Sequence, residues 1–105
     1  EDLEIALKLA KQAQILRPGA LEVIDTLGWV YYKMGDIHRA LGLLEKAVPN
    51  EAAIPILNYH MGMVLYKNGR LEEARERLKN ALKNNKRFIG REEAERVNKE
   101  IEAES

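Results

Sequence analysis

Apolar residues recur at steps of three and four along most of the chain, which is the spacing of one face of an α-helix. In residues 2–16 aliphatic and small side chains follow this spacing, and Asp2 can cap the first turn. The same spacing predicts five further helices, at 21–34, 37–48, 55–67, 71–84 and 91–103. Turn-forming pairs separate the first five: Pro18-Gly19, Gly35-Asp36, Pro49-Asn50 and Asn68-Gly69. The sequence therefore predicts an all-α fold.

Two of these helices differ from the usual half-apolar pattern. Helix 21–34 is apolar nearly all round, which predicts burial between neighbours on several sides. Helix 91–103 has only a narrow apolar face of Ala94, Val97 and Ile101, and its other positions are mostly charged. A polar terminal helix is what a stack of helices needs to end in water.

The helices repeat in pairs at a fixed offset of 34 residues. Self-similarity at such a period is typical of stacked repeat arrays. The equivalent positions are Gly28 and Gly62, Gly35 and Gly69, Ala40 and Ala74, and Ala47 and Ala81. The small residues within the helices, which are Gly28, Gly62 and the alanines, predict that paired helices approach each other closely there, whereas Gly35 and Gly69 lie in turns.

The period and its motif resemble the tetratricopeptide repeat. The first signature lies at Leu27, Gly28, Tyr31, Ala40, Leu44 and Ala47, and the second at Met61, Gly62, Leu65, Ala74, Leu78 and Ala81. The departures are Ile24 and Asn58 at the usual tryptophan, and Ala52 and Lys86 at the closing proline. The resemblance implies a right-handed superhelix of antiparallel helix pairs, with Tyr31 in its core. We expect the second helix of a truncated repeat at 1–20, full repeats at 21–54 and 55–88, and a C-terminal capping helix at 89–105.

A narrower resemblance concerns the stretches DTLGWVYYKMGD, NYHMGMVLYKNGRLEEA and RFIGREEAERV. They are similar to the C-terminal repeats of bacterial tetratricopeptide lipoproteins of exosortase and exopolysaccharide-export systems, of the PEP-CTERM type. This narrower resemblance implies an envelope-associated, periplasmic scaffold. If it does not hold, a cytoplasmic scaffold is expected. Because residue 1 falls inside a repeat, we expect the chain to be a piece of a longer protein, whose compartment is not readable here.

Candidate binding residues lie on the first helix of each repeat, where five of the six aromatic residues occur. Steps of three and four place one set on a single face. The set is Asp25, Trp29, Tyr32, Lys33, Tyr59, Met63, Tyr66 and Lys67. The resemblance implies that this face lines a concave groove for a protein or peptide, and aromatic rings with lysines suit an apolar segment carrying acidic groups. The alternative is a structural spacer, in which the rings pack against neighbouring repeats.

Other chemistry finds little support in the sequence. There is no cysteine, the only serine is Ser105, and His38 and His60 lack the spacing of a metal site. We therefore expect no enzymatic activity, cofactor or metal. No apolar run approaches the roughly 20 residues of a membrane span. A basic stretch at 67–91 leaves nucleic-acid binding as a further alternative, although the net charge is zero and a solvated convex face is the expected role.

Helix 2–16 carries more large apolar residues than one narrow face can hold: Leu3, Ile5, Leu7, Leu9, Ile15 and Leu16. If the first helix of its repeat is missing, the surplus faces water or a second molecule. We therefore expect weak self-association through residues 2–16, or fraying of this helix.

Overall fold

The computed structural model describes residues 2–47, 54–83 and 86–104. Within these ranges the chain is helical, without strands, and the all-α class is confirmed. The helices are α1 (Leu3–Leu16), α2 (Leu21–Lys33), α3 (Ile37–Ala47), α4 (Pro55–Lys67), α5 (Leu71–Leu82) and α6 (Arg91–Glu104). Where a predicted end lies in a described range, it agrees with the observed end to within one residue. The predicted ends at Val48 and Asn84 and the predicted stop at Pro49-Asn50 lie outside the described residues.

Local signals account for where the helices begin and end. The Asp2 carboxylate accepts hydrogen bonds from the backbone N–H groups of Glu4 (3.0 Å) and Ile5 (3.1 Å), and so caps α1. Asp36 caps α3 in the same way through the N–H of Arg39, at 3.2 Å. Pro55 is the first residue of α4, where its missing N–H leaves no hydrogen bond unmade.

The chain forms two compact units, Glu1–Pro49 and Asn50–Ser105. In the first unit α2 packs against both α1 and α3. Ala40 and Leu44 of α3 are completely buried. A Cβ atom on Gly28 would lie 2.9 Å from Cγ of Leu44, so the close approach predicted at this glycine is confirmed.

In the second unit α4 packs against α5 and α6. Every residue from 57 to 65 is buried, so the all-round burial predicted for helix 21–34 belongs to α4 instead. A Cβ atom on Gly62 would lie 2.7 Å from Cδ2 of Leu78. Beside this contact the buried Arg77 guanidinium of α5 donates to Oδ1 of the buried Asn58 of α4, at 3.2 Å.

Helix α2 is only partly buried, because its aromatic residues stay at the surface of its unit. Trp29, Tyr31 and Tyr32 are all half-buried. The prediction that Tyr31 lies in the core is therefore wrong: its ring packs under the Arg39 guanidinium, 5.7 Å from the ring centroid. An arginine stacked on a tyrosine face gains from both charge and surface contact while remaining partly in water.

Candidate partner-binding site

The α2 part of the predicted set contains a stacked aromatic pair. Trp29 and Tyr32 are three residues apart, which makes them neighbours on one side of a helix. Their ring centroids lie 4.5 Å apart and their planes differ by only 12°. Both rings are half-buried, Lys33 beside them is exposed, and Asp25 one turn earlier is buried. This α2 surface therefore presents a stacked pair of rings, Trp29 and Tyr32, here called the aromatic platform, next to a positive charge.

The α4 part of the set is much less accessible. Tyr59 is 5% exposed and Met63 is 2% exposed, so neither offers its side chain to a partner in this structure. Tyr66 is half-buried and Lys67 is exposed. The predicted face therefore divides into an accessible α2 surface and an α4 surface that is largely covered.

The cover over Tyr59 comes from the C-terminal part of the second unit. Its hydroxyl donates to Oε1 of Glu93 in α6, at 2.7 Å. The centroid of the Phe88 ring lies 5.6 Å from that of the Tyr59 ring. Gly90 lies so close to the tyrosine that a Cβ atom at this position would overlap the ring. Phe88, Gly90 and Glu93 therefore act on the candidate site, although none was among its predicted residues.

The offset of 34 residues could have identified these contacts from the sequence. Tyr59 and Glu93 are 34 residues apart, and so are Tyr66 and Glu100, whose hydrogen bond spans 3.2 Å. Helix α6 thus follows α4 at the repeat period and lies against it as a further first helix. We expected only a polar cap in this segment, and its carboxylates bond directly to the tyrosines of α4.

The bond between Tyr66 and Glu100 raises the pKa of the Tyr66 hydroxyl above its ordinary value of 10.0. The hydrogen bond to the carboxylate is the main cause, because it stabilises the protonated phenol; desolvation and the negative charges of Glu100 and Glu104 add to it. The Arg96 guanidinium pairs with both carboxylates that accept from the tyrosines, at 2.7 Å from Glu100 and 3.7 Å from Glu93. Its positive charge partly opposes the rise in the Tyr66 pKa.

A pH titration can test this arrangement. Because the folded-state pKa of Tyr66 is raised, the stabilisation by its hydrogen bond is present at neutral pH and is lost as the pH rises through that pKa. We expect Glu100→Gln to lower the Tyr66 pKa toward its ordinary value, measured from the Cζ chemical shift of ¹³C-labelled tyrosine. Tyr66→Phe identifies the resonance, and Glu95→Gln at an exposed α6 position should leave the pKa unchanged. Equal pKa values in wild type and Glu100→Gln would show that the bond does not form in solution.

Many basic residues of the stretch 67–91 are engaged within the second unit. Arg70 pairs with Glu73 at 2.7 Å, and Arg75 lies 3.8 Å from Glu72. Arg91 donates to the backbone carbonyl oxygens of Lys86 and Leu82. Several positively charged side chains of this stretch therefore contact groups of the protein itself.

The histidines and the remaining candidate chemistry have ordinary surroundings. His38 is exposed, whereas His60 is buried with its ring 5.4 Å from the Tyr59 ring. Among residues 2–47, 54–83 and 86–104, no group of three His, Asp or Glu side chains is placed to hold a metal ion. None of the helices in these ranges has the length and apolar character to cross a membrane.

Helix pairs joined by short turns, repeating at 34 residues with glycine at each close contact, define a helical-repeat protein. The sequence matches the tetratricopeptide repeat family over residues 26–86 and 59–95. These matches together cover more than half of the chain, and it belongs to the tetratricopeptide repeat family. Such repeats are in general scaffolds for protein–protein interaction and are typically not catalytic. A comparison with curated proteins found no match.

Proposed function

We propose that this chain binds a protein or peptide segment, and that the α2 surface provides the central contact. The observation that carries the proposal is the Trp29–Tyr32 stack, 4.5 Å between centroids, held at the surface of its unit. Tryptophan and tyrosine are the residues that most often dominate binding energies, because they bury a large area and have few rotatable bonds. Their mutual stacking lowers the entropy that a partner must remove on binding.

The charges near the platform indicate the chemistry of the partner. Lys33 follows Tyr32 directly and is exposed. An apolar segment that also carries acidic side chains fits this combination, since the rings bury its apolar part and the lysine attracts its charge. In the second unit, taken by itself, Tyr66 is half-buried and Lys67 is exposed, whereas Tyr59 and Met63 are buried and offer no side chain to a partner.

A peptide-display selection on the immobilised chain tests this proposal. We expect enrichment of sequences in which aliphatic or aromatic residues alternate with Asp and Glu. Trp29→Ala should weaken binding of these peptides about tenfold or more, because it removes half of the stacked platform. Trp29 is the only tryptophan, so its fluorescence in the wild type reports directly on whether peptides contact α2.

Tyr31→Ala is the matched control for this experiment. Tyr31 is also a half-buried aromatic of α2, but its ring packs under Arg39 and is not part of the platform. We expect this variant to bind the selected peptides like the wild type, with circular dichroism showing that both variants remain helical. Equal loss of binding in the two variants, or no loss in Trp29→Ala, would contradict the assignment of the α2 surface.

A structural spacer remains the second candidate, and the α4 surface favours it. Tyr59 and Met63 are as buried as core residues, as they would be if this face served only to join one repeat to the next. The same selection separates the two functions. A spacer yields no enriched peptides that change the Trp29 emission, whereas a binding module does.

A further inference from the structure

The helix pair α4–α5 contains a polar contact that is buried between its two helices. Asn58 of α4 is 0% exposed and Arg77 of α5 is 8% exposed. Nη1 of Arg77 donates to Oδ1 of Asn58, and the two atoms lie 3.2 Å apart. An arginine side chain keeps its charge inside a protein, so its burial is tolerated only where acceptors meet its N–H groups. Asn58 therefore supplies an acceptor that α5 needs from its partner helix.

The helix pair α2–α3 holds apolar residues at the equivalent positions. At the repeat offset of 34 residues, Ile24 of α2 corresponds to Asn58, and Leu43 of α3 corresponds to Arg77; both aliphatic residues are half-buried. Helices α2 and α3 pack together without a polar pair at this place. The contact between Asn58 and Arg77 is therefore a difference between two similar helix pairs, and not a requirement of the repeat.

The apolar contacts by themselves do not distinguish the two pairs. A Cβ atom on Gly28 would lie 2.9 Å from Cγ of Leu44, and one on Gly62 would lie 2.8 Å from Cγ of Leu78. Each second helix therefore offers a leucine that suits the glycine of either first helix. Residues 48–54 join α3 to α4, so α4 has one second helix before it in the chain and another after it. A short connection gives an attached helix an effective concentration of only about millimolar, so helices of other copies compete as well.

We propose that the contact between Asn58 and Arg77 selects the partner of α4, because it accepts α5 and rejects α3. If α4 paired with α3, Asn58 would face Leu43, and if α5 paired with α2, Arg77 would face Ile24. Neither aliphatic side chain can donate or accept a hydrogen bond. Each buried polar group left without its partner disfavours the exchanged pairing about tenfold or more, and the two together about a hundredfold.

This role agrees with what buried polar contacts do elsewhere. One polar residue in the apolar seam of a coiled coil fixes which helices pair and in which register, at some cost in stability. A buried pair of this kind adds little stability compared with well-packed apolar residues, whereas removing one partner alone is strongly destabilising. The inference concerns the pairing of helices and is independent of the proposed peptide binding by α2.

Nuclear Overhauser cross-peaks between glycine Hα protons and leucine methyl groups report the pairing in the full chain. Correct pairs give cross-peaks from Gly28 to Leu44 and from Gly62 to Leu78, because each glycine lies directly against its leucine. Exchanged pairs give cross-peaks from Gly28 to Leu78 and from Gly62 to Leu44, within one chain or between two copies. At millimolar concentration the wild type should show only the correct set.

Two variants remove the difference between the helix pairs in opposite ways. Asn58→Ile with Arg77→Leu makes both pairs apolar, whereas Ile24→Asn with Leu43→Arg makes both pairs polar and keeps the contact between Asn58 and Arg77. In each variant the roughly hundredfold discrimination is lost, so the exchanged cross-peaks should rise to about a tenth or more of the correct ones. The polar variant changes only half-buried positions, so it still tests the proposal if the apolar variant does not fold.

The matched control carries all four substitutions and so moves the polar pair from α4–α5 to α2–α3. It has the same two kinds of helix pair as the wild type, and it should show only the correct cross-peaks. Cross-peaks of the correct set alone in both the apolar and the polar variant would overturn the proposal. The same conclusion would follow if the control showed exchanged pairs as strongly as those two variants.

Thermal unfolding separates partner selection from a role in stability alone. Asn58→Ile with Arg77→Leu should melt at or above the wild-type temperature, because apolar residues replace both buried polar groups. Arg77→Leu alone leaves Asn58 without its donor on α5 and should melt at a lower temperature. A lower melting temperature of the apolar variant, together with correct cross-peaks only, would show that the contact stabilises α4–α5 without selecting its partner.

Discussion

Replacing Gly62 by leucine should lower the free energy of unfolding by about 3 kcal/mol or more, although leucine is the better helix former. A Cβ atom at this position would lie 2.7 Å from Cδ2 and 2.8 Å from Cγ of Leu78, which is completely buried, and 3.4 Å from the carbonyl oxygen of Ala74. Leu78 is completely buried and the Ala74 carbonyl belongs to the α5 backbone, so the added side chain forces the α4 and α5 axes apart. Thermal unfolding followed by circular dichroism should show a melting temperature lower by about 10 °C or more.

Two comparisons make the cause specific. Gly28→Leu should act in the same direction through Leu44, which lies 2.9 Å from the added Cβ. Gly42→Leu in α3 has no atom within 4 Å of the new Cβ and should gain stability by about 0.5–1 kcal/mol from helix propensity alone. A melting temperature for Gly62→Leu at or above that of the wild type would refute close packing of α4 on α5.

Gly90→Ala should release α6 from the second unit. The φ angle of Gly90 is +100°, where a residue with a Cβ atom is strained by about 1–2 kcal/mol. The new Cβ would in addition overlap the Tyr59 ring, whose Oη would lie 2.6 Å away. Because Tyr59 is only 5% exposed and bonded to Glu93, the ring cannot turn aside without losing its contacts. We expect a total cost of about 3 kcal/mol or more.

Amide hydrogen exchange locates this effect within the molecule. In Gly90→Ala, exchange should become much faster in residues 91–104, while α1, α2 and α3 keep their wild-type protection. Gly69→Ala is the control: its φ angle is +81°, but no atom lies within 4 Å of the added Cβ, so it carries only the backbone strain. If the amides of α6 exchanged at the same rate in the two variants, the contact between Gly90 and Tyr59 would not contribute to the stability of α6.

The helices of this protein were predictable because their signals are local. Asp2 and Asp36 cap helices through hydrogen bonds to residues two or three positions ahead, and Pro55 begins one for reasons internal to its own turn. The close contacts at Gly28 and Gly62 were also predictable, since the repeat places the same small residue at the same point of two helix pairs.

The candidate site was predictable only in part. The sequence places Trp29 and Tyr32 side by side, because three residues make less than one helical turn, and the stacked pair is found. The pattern assigns Tyr59 and Met63 to the same kind of face, but the structure buries them. The difference arises because α6 follows α4 at the repeat offset of 34 residues and packs on it. There Glu93 and Glu100 accept hydrogen bonds from the two tyrosines of α4.

What the sequence by itself determined is therefore the set of helices, the repetition of the helix pairs at 34 residues and the side of α2 and α4 on which the aromatic residues lie. Only the tertiary structure decided which of those sides stays accessible, namely that of Trp29 and Tyr32 on α2. The physical reason is that helix formation and helical periodicity depend on interactions within a few residues. Exposure to water depends on what packs on a face, and for Tyr59 that is a carboxylate 34 positions further along the chain.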